Sequence, residues 1–455
     1  MRRTFRSSEL MTKVALTSLG CARNLVDSEL MLGLLRQENM VVCDDANEAD
    51  VIIVNTCGFI REAVEESIDA ILQLCRLKEN GRPKKVIAVG CLVERYKEEL
   101  VRELPEVDAF VGVNRMSEIG QVIREVLSGR RPVRLNGQPY AHGSESRFAL
   151  TPKHFRYAKI CEGCNHGCTF CAIPAIKGRL RSRSPVSILS EVARLIREGA
   201  REIVLIGQDT AEYGLDRNEP GALPRLLRDL CRIEGDFWVR LLYSCPTHFS
   251  DDLIDVIAEE KKICRYVDLP VQHIDAGILK SMGRKESPED IFRLIRRIRN
   301  AVLGVTFRTS VIVGFPGEGE NEFQRLLDFL KETRFERLGA FEFSPEEGTR
   351  AAAMPGQAPE EVKSERFGRL MRLQQEISLE NNRKLLGRRE RIIVDEWSEQ
   401  ADYRCIGRTE GDAPEVDGCV YVKGDAAKPG QFAVVEFTGC LEYDLIGNEV
   451  HEPSQ

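Results

Sequence analysis

Cys164, Cys168 and Cys171 lie within the eight residues CNHGCTFC, and this CxxxCxxC spacing decides what chemistry is open to them. Three thiolates on one short loop hold three irons of a cubic [4Fe–4S] cluster and leave the fourth iron free for an external group. A structural zinc asks for four ligands in a closed tetrahedron, and zinc ribbons separate their two cysteine pairs by about a dozen residues or more. The separation here is far too short. Cys161 extends the run to CxxCxxxCxxC, so a fourth thiolate, as in an electron-transfer ferredoxin, is the alternative. The bacterial ferredoxin run has another spacing and a proline after its last cysteine, whereas Ala172 follows Cys171 here. Cys161 therefore reads better as a small packed side chain.

A second trio of cysteines is scattered, and only a fold can bring it together. Residues 11–127 alternate the β-rich runs VALTSLG (14–20), DVIIVNTC (50–57), KKVIAVGC (84–91) and VDAFVG (107–112) with amphipathic stretches at 24–38, 60–78 and 94–104. That alternation predicts a parallel α/β sheet. Cys21, Cys57 and Cys91 fall at the ends of the first three strands. In a parallel sheet those carboxyl ends share one edge, where ligands bind. Cysteine is common in buried sheets, but three at equivalent strand ends predict a second cluster. Cys43 and Cys75 lie off this pattern and read as packing residues.

Residues 128–152 lose the periodicity, gain Gly, Pro and Ser, and read as a linker. From 153 to 383 a strand and a helix repeat six times. The strands are RYAKI (156–160), EIVLIG (202–207), FWVRLLY (237–243), RYVDLP (265–270), VTFRTSVIVG (305–314) and RLGAFEFS (337–344); helices follow at 187–198, 222–232, 250–260, 288–302, 320–332 and 359–383. Six repeats predict a partial β/α barrel, open on one side, with its chemistry at the carboxyl ends of the strands. The CNHGCTFC loop follows the first of them. The last segment, 386–450, turns to short β-rich runs such as RIIVDEW (391–397) and QFAVVEFTGC (431–440), which predict a small antiparallel barrel. The fold class is thus α/β multidomain.

A length of 455 residues suits two or three domains, and 42% hydrophobic with 30% charged residues is the composition of a globular protein without a membrane-spanning segment. The N-terminal MRRTFRSSEL is basic with no apolar run of signal-peptide length, and folding is expected to begin near Met11. Fifteen cysteines without a secretory signal point to the cytoplasm and to metal or redox chemistry rather than disulfides. The net charge of −7 is uneven: residues 386–455 hold 15 acidic and 7 basic side chains.

Taken in order, SLGCARNLVDSE (18–29), VNTCGF (54–59), VGC (89–91), EGCNHGCTFCAIP (162–174) and GFPGE (314–318) resemble the radical S-adenosylmethionine (SAM) methylthiotransferases over nearly the whole chain. The resemblance implies an amino-terminal methylthiotransferase domain with an auxiliary [4Fe–4S] cluster on Cys21, Cys57 and Cys91. It implies a radical-SAM barrel with a second [4Fe–4S] cluster on Cys164, Cys168 and Cys171, whose open iron binds SAM, and a terminal TRAM domain. Phe170, before the last cysteine, also fits the family. Phe170, Gln208, Gly314, Gly317 and Glu318 are candidate SAM contacts. GFPGE is equally an ordinary turn after a strand. Asp209 also follows a barrel strand. His273 reads as structural, and no general base is assigned.

SLGCARN–VDSE is closer to the SLGCPKN–VDSE form of the branch that modifies a ribosomal protein than to the GCQMN form of the transfer-RNA enzymes, and DAPEVDG (412–418) points the same way. Ala22 and Arg23 depart from Pro-Lys, and Cys161 stands where serine is usual; neither removes a family ligand. The implied reaction replaces a β-carbon hydrogen by a methylthio group on an aspartate of small-subunit ribosomal protein S-twelve. It uses a radical from one SAM, a methyl group from a second, sulfur through the auxiliary cluster, and an electron donor of the flavodoxin or ferredoxin kind. The acidic terminal segment would repel phosphate and attract a Lys- and Arg-rich protein, so RNA binding is not required. A transfer-RNA methylthiotransferase and a non-catalytic iron–sulfur electron carrier are the rival readings.

Overall fold

The structure is a computed structural model that describes residues 11–78, 81, 83–137, 147–424 and 427–450. The basic N-terminal decapeptide and residues 138–146 of the expected linker lie outside the described residues. Two compact units divide the chain: residues 1–150 with 172–179, and residues 151–171 with 180–455.

In the first unit, β1 (Lys13–Ser18), α1 (Ala22–Gln37), β2 (Val41–Val42), β3 (Val51–Thr56), α2 (Arg61–Leu77), β4 (Lys85–Gly90), α3 (Cys91–Glu103), β5 (Ala109–Gly112), α4 (Ile119–Leu127) and β6 (Val133–Arg134) follow one another. The sheet is wholly parallel in the order β2-β1-β3-β4-β5-β6. All six residues of β3 are buried, as a strand covered on both faces must be. Met31, Leu35, Val122 and Val126 of α1 and α4 cover one face, and Ile71, Leu92 and Leu100 of α2 and α3 the other. Cys75 packs in the second of these cores with Cys43 at its margin, as expected. The order reverses between β1 and β3, so the ligand-binding crevice of such a sheet opens at their carboxyl ends. The segment read as a linker donates β6, whose two residues are too short to carry a hydrophobic period.

The second unit begins with β7 (Phe155–Lys159) and a two-residue β8 (Cys161–Glu162). Helix α5 (Ile173–Lys177), which clusters with the first unit, comes next, and β9 (Arg181–Ser182) returns to pair antiparallel with β8. Then come α6 (Pro185–Arg197), β10 (Glu202–Ile206), α7 (Ala222–Cys231), β11 (Trp238–Leu241), α8 (Asp251–Glu259), β12 (Tyr266–Asp268), α9 (Ala276–Ser281), α10 (Pro288–Ala301), β13 (Thr306–Val313), α11 (Glu320–Thr333), β14 (Arg337–Glu342) and α12 (Glu360–Arg383). The expected six strands and six helices are all present. Parallel ladders β7-β10-β11 and β12-β13-β14 are joined by a parallel bridge from Val239 to Ile263. Among the described residues β14 does not pair with β7, so the barrel is partial. Sequence signals set the helix starts: Ser287 caps α10 in a reciprocal box with Asp290, with Pro288 in the first turn.

β15 (Arg389–Trp397), β16 (Cys405–Thr409), β17 (Val420–Lys423), β18 (Phe432–Cys440) and β19 (Leu445–Glu449) close a barrel in the order β15-β16-β17-β19-β18. Four pairings are antiparallel, and β17 with β19 is parallel, a departure from a purely antiparallel barrel. Strand period is the same in both pairings, so the sequence pattern does not distinguish them.

This small barrel meets the amino ends of the large barrel's strands through charge. Glu202 of β10 faces Arg240 at 2.6 Å and Arg408 at 2.8 Å; Arg337 of β14 holds Asp412 at 2.6 Å; Arg308 of β13 lies 3.4 Å from Asp417. Tyr157 donates to Glu415 (2.8 Å), Tyr266 to Asp417 (2.6 Å), and His154 meets Asp395 (2.8 Å). The DAPEVDG segment is thus a plug. Part of the terminal domain's acidity points inward to barrel arginines and tyrosines, while Glu396, Glu399 and Asp402 remain exposed.

Candidate functional site

Cys21, Cys57 and Cys91 occupy the carboxyl ends of the adjacent strands β1, β3 and β4, as the spacing predicts. Two glycines let them approach. A Cβ on Gly20 would lie 2.8 Å from Cys57 Cβ, and one on Gly58 would lie 2.8 Å from the Leu92 backbone. Cys21 caps α1 and Cys91 opens α3, so two of the three sulfurs sit at helix N-termini, which favour negative charge. Burial pushes the Cys21 thiol up, but the Arg23 guanidinium, whose Nε donates to Sγ at 3.4 Å, and backbone N–H groups outweigh it and leave about 7. Burial drives Cys57 up and Cys91 up to about 12.

Asn24, which the sequence reading did not single out, knots the three strand ends together. Its Nδ2 donates to Leu19 O (3.1 Å) and Thr56 O (3.0 Å), and its Oδ1 accepts from the Cys91 thiol (3.5 Å). Asn55 Nδ2 in turn donates to Asn24 O at 2.8 Å. Asp27 and Glu29 of VDSE are buried and paired with Lys177 (3.2 Å) and Arg147 (3.4 Å). The only hint in the sequence was that these side chains fall inside the quoted motifs. The donor set fits a cluster: three soft ligands stand close enough to interact electrostatically, and a Cβ at Gly20 would crowd Cys57 Sγ at 3.1 Å.

In the second unit Cys164, Cys168 and Cys171 lie on the loop after β7 and β8. Thr169 fastens that loop by donating from its backbone N to Met282 O (2.9 Å) and from its hydroxyl to Ser281 O (2.8 Å). Burial pushes Cys164 up to about 12 and raises Cys168, which the Arg284 guanidinium partly offsets. Cys161 is not part of this group: it is 1% exposed and its thiol donates to Asp209 O at 3.5 Å, the packed position expected of it. Three thiols on a loop at the carboxyl end of the barrel fit a three-ligand cluster.

Phe170 stands edge-on to Phe315 with centroids 6.4 Å apart, which joins the cysteine loop to GFPGE. Gln208 follows β10; its amide nitrogen Nε2 donates to Glu162, and its Oε1 is buried without a partner. Gly314 has φ 72° and packs on Lys363. Gly317 has φ 86° and open space where a side chain would be. The Glu318 carboxylate accepts from Gly314 N (3.0 Å) and Arg366 (2.8 Å) and lies 3.3 Å from His273. His273 is fully buried and its Nδ1 accepts from Asp275 N at 2.9 Å, in keeping with a structural part. Asp209 is held down to about 2: burial opposes this, and a 2.7 Å hydrogen bond from His166 overrides it. Burial depresses His166, but Asp209 lifts it to about 11. His166, Glu212, Cys245, His248 and Arg284 were not singled out in the sequence, because β10, β11 and α9 bring them together from distant positions.

Three sequence families match consecutive stretches: Uncharacterized protein family UPF0004 over residues 13–112, the Radical SAM superfamily over 159–330 and the TRAM domain over 386–450. A protein of Heliobacterium modesticaldum named ribosomal protein uS12 methylthiotransferase RimO is 46% identical over 99% of this chain and 98% of its own. Proteins of the same name from Pelotomaculum thermopropionicum (46%; 96% and 99%) and Geobacter sulfurreducens (45%; 97% and 99%) are similar. Among solved structures, the radical SAM methyltransferase TsrM of Kitasatospora setae, with tryptophan and a SAM analogue, superposes with a TM-score of 0.56 at 17% identity over 72% of each chain. The cobalamin-dependent radical enzyme OxsB does so with 0.54 at 13%, over 81% of this chain and 56% of that one. Both likenesses concern the fold.

Proposed function

We propose how this chain works from its family: it belongs to the ribosomal protein uS12 methylthiotransferases of the RimO kind, enzymes of radical SAM chemistry. Its substrate is then ribosomal protein uS12, and the site modified is the β-carbon of one aspartate, where a methylthio group replaces hydrogen. An unactivated C–H bond lies beyond side-chain acids and bases, so the hard step belongs to cofactors. When bound, two [4Fe–4S] clusters and SAM supply a 5′-deoxyadenosyl radical, a coordinated sulfur and a methyl group.

The chain's own residues bind and position. Cys164, Cys168 and Cys171 hold the barrel cluster by three corners, and Cys21, Cys57 and Cys91 hold the auxiliary cluster, each trio leaving one iron to an outside ligand. Asn24 keeps the auxiliary trio in register. Gln208 offers its unpartnered Oε1 to the SAM ammonium group, a buried acceptor that is costly to leave unsatisfied. Phe170 excludes water beside the loop. Glu318 and Gly314 shape the GFPGE turn, and Gly317 presents its bare backbone to SAM. Exposed Glu396, Glu399 and Asp402 draw in a basic protein. An electron donor of the flavodoxin or ferredoxin kind completes the set.

The observation that carries this reading is the pair of cysteine trios at carboxyl edges of parallel strands in a chain that aligns end to end with its relatives. Reconstituted, reduced enzyme incubated with SAM, sulfide and uS12 should yield 5′-deoxyadenosine and a uS12 peptide heavier by one methylthio group less one hydrogen, placed by tandem mass spectrometry on an aspartate. Modification of transfer RNA with uS12 untouched would contradict it.

A further inference from the structure

Beside the cysteine loop four side chains from three segments meet without any part in the scheme above. His166 lies on the loop, Asp209 and Glu212 follow β10, and His248 follows β11. One ligand atom of each lies within 4.8 Å of all the others. The two carboxylates are 2% and 3% exposed, yet they sit together, and burial of like charges without compensation is costly.

The distances are informative. His166 Nε2 and Asp209 Oδ2 are hydrogen-bonded at 2.7 Å, but His248 Nδ1 stands 3.6 Å from the same Asp209 oxygen. Glu212 Oε1 is 3.8 Å from both His166 Nε2 and His248 Nδ1. Three of these four separations exceed a hydrogen bond. They are near the edge of a tetrahedron whose centre lies about 2.0–2.1 Å from nitrogen and oxygen ligands, an edge of about 3.4 Å. His248 Nδ1 is, moreover, a buried nitrogen without a hydrogen-bond partner. The arrangement has the spacing of a ligand shell.

We infer that His166, Asp209, Glu212 and His248 form a mononuclear site for a divalent cation of the zinc class, distinct from the cysteine trios. Two imidazoles and two carboxylates are borderline and hard donors that suit zinc, and a dication balances both buried carboxylates. Its part is to fasten the loop that bears Cys164 and Cys168 to the ends of β10 and β11, without supplying a ligand to the cluster.

The test uses the full-length protein, reconstituted with iron and sulfide, dialysed against Zn2+ and analysed for both metals, with zinc-edge X-ray absorption to identify the ligands. One zinc per chain on nitrogen and oxygen at about 2.0 Å is expected, not on sulfur at about 2.3 Å. His248→Ala, at a half-buried position, and Glu212→Gln should each lose that zinc at least tenfold while iron and sulfide stay at the wild-type level. Absence of zinc, sulfur ligation, or zinc retained in both variants overturns the site.

Discussion

The two ends of the large barrel are built on opposite terms. At the amino ends, Glu202, Arg337 and Arg308 pair with Arg408, Asp412 and Asp417 of the terminal barrel at 2.6 to 3.4 Å, and the first two pairs are buried. At the carboxyl ends, Gln208 Oε1 and His248 Nδ1 are buried without partners and three cysteines share a loop. One end is closed by complementary charge, and the other leaves buried polar atoms unpartnered. Stability and chemistry are thereby separated along the strands, as β/α barrels generally separate them, and substitutions at the two ends should damage different properties.

The largest effect is expected at the open end. Cys168→Ala should bring reductive SAM cleavage to background and remove about half of the cluster iron, one cube of two. Its unfolding midpoint without clusters should stay within a few degrees of wild type, because the loop adds little to the core. A large loss of stability with retained cleavage would reverse the assignment of the two ends.

At the closed end the damage should be to folding. Arg337→Met strands the buried Asp412 carboxylate, and breaking such a pair costs about 3–5 kcal/mol, to be read from denaturant unfolding. Arg337→Met with Asp412→Leu should recover most of it. Folded protein of either variant should still bind both clusters.

Acid should find the same seam. Asp395 and Glu202 are held below the usual carboxylate range: burial raises each, but His154 and Arg408 outweigh it at Asp395, and Arg408 and Arg240 at Glu202. A carboxylate depressed in the folded state stabilises it fully above its unfolded value, near 4, and that contribution is lost as pH falls through the folded value. Unfolding free energy should therefore drop from pH 5 toward pH 3, and Asp395→Asn should flatten that slope. The smallest effect is expected of Gln208→Ala, which should weaken SAM binding about tenfold, the worth of one buried hydrogen bond, with no change in stability.

What the sequence made legible follows from the length of the signal. The six barrel strands and helices carry three to twenty-four residues of period and turn chemistry and lie within a few residues of where the pattern puts them, whereas β6, β8 and β9 have two residues each and no pattern to read. The cysteine loop is local in sequence and was plain. The trio at Cys21, Cys57 and Cys91 needed only the rule that parallel strands end on one edge. Asn24 was hidden because its three partners come from three strands, and His166 with His248 because eighty residues of barrel separate them. The acidic terminal domain was read for the sign of its charge, but a sequence carries no direction, and Asp412 and Asp417 turn toward the barrel.

Iron and sulfide quantification with Mössbauer spectroscopy on anaerobically reconstituted protein tests the central claim most directly. Wild type should hold about eight irons in two [4Fe–4S] cubes, and the triple alanine variants at Cys21, Cys57 and Cys91 and at Cys164, Cys168 and Cys171 about four each. A single cube in wild type, or one trio's removal emptying both sites, would contradict the account.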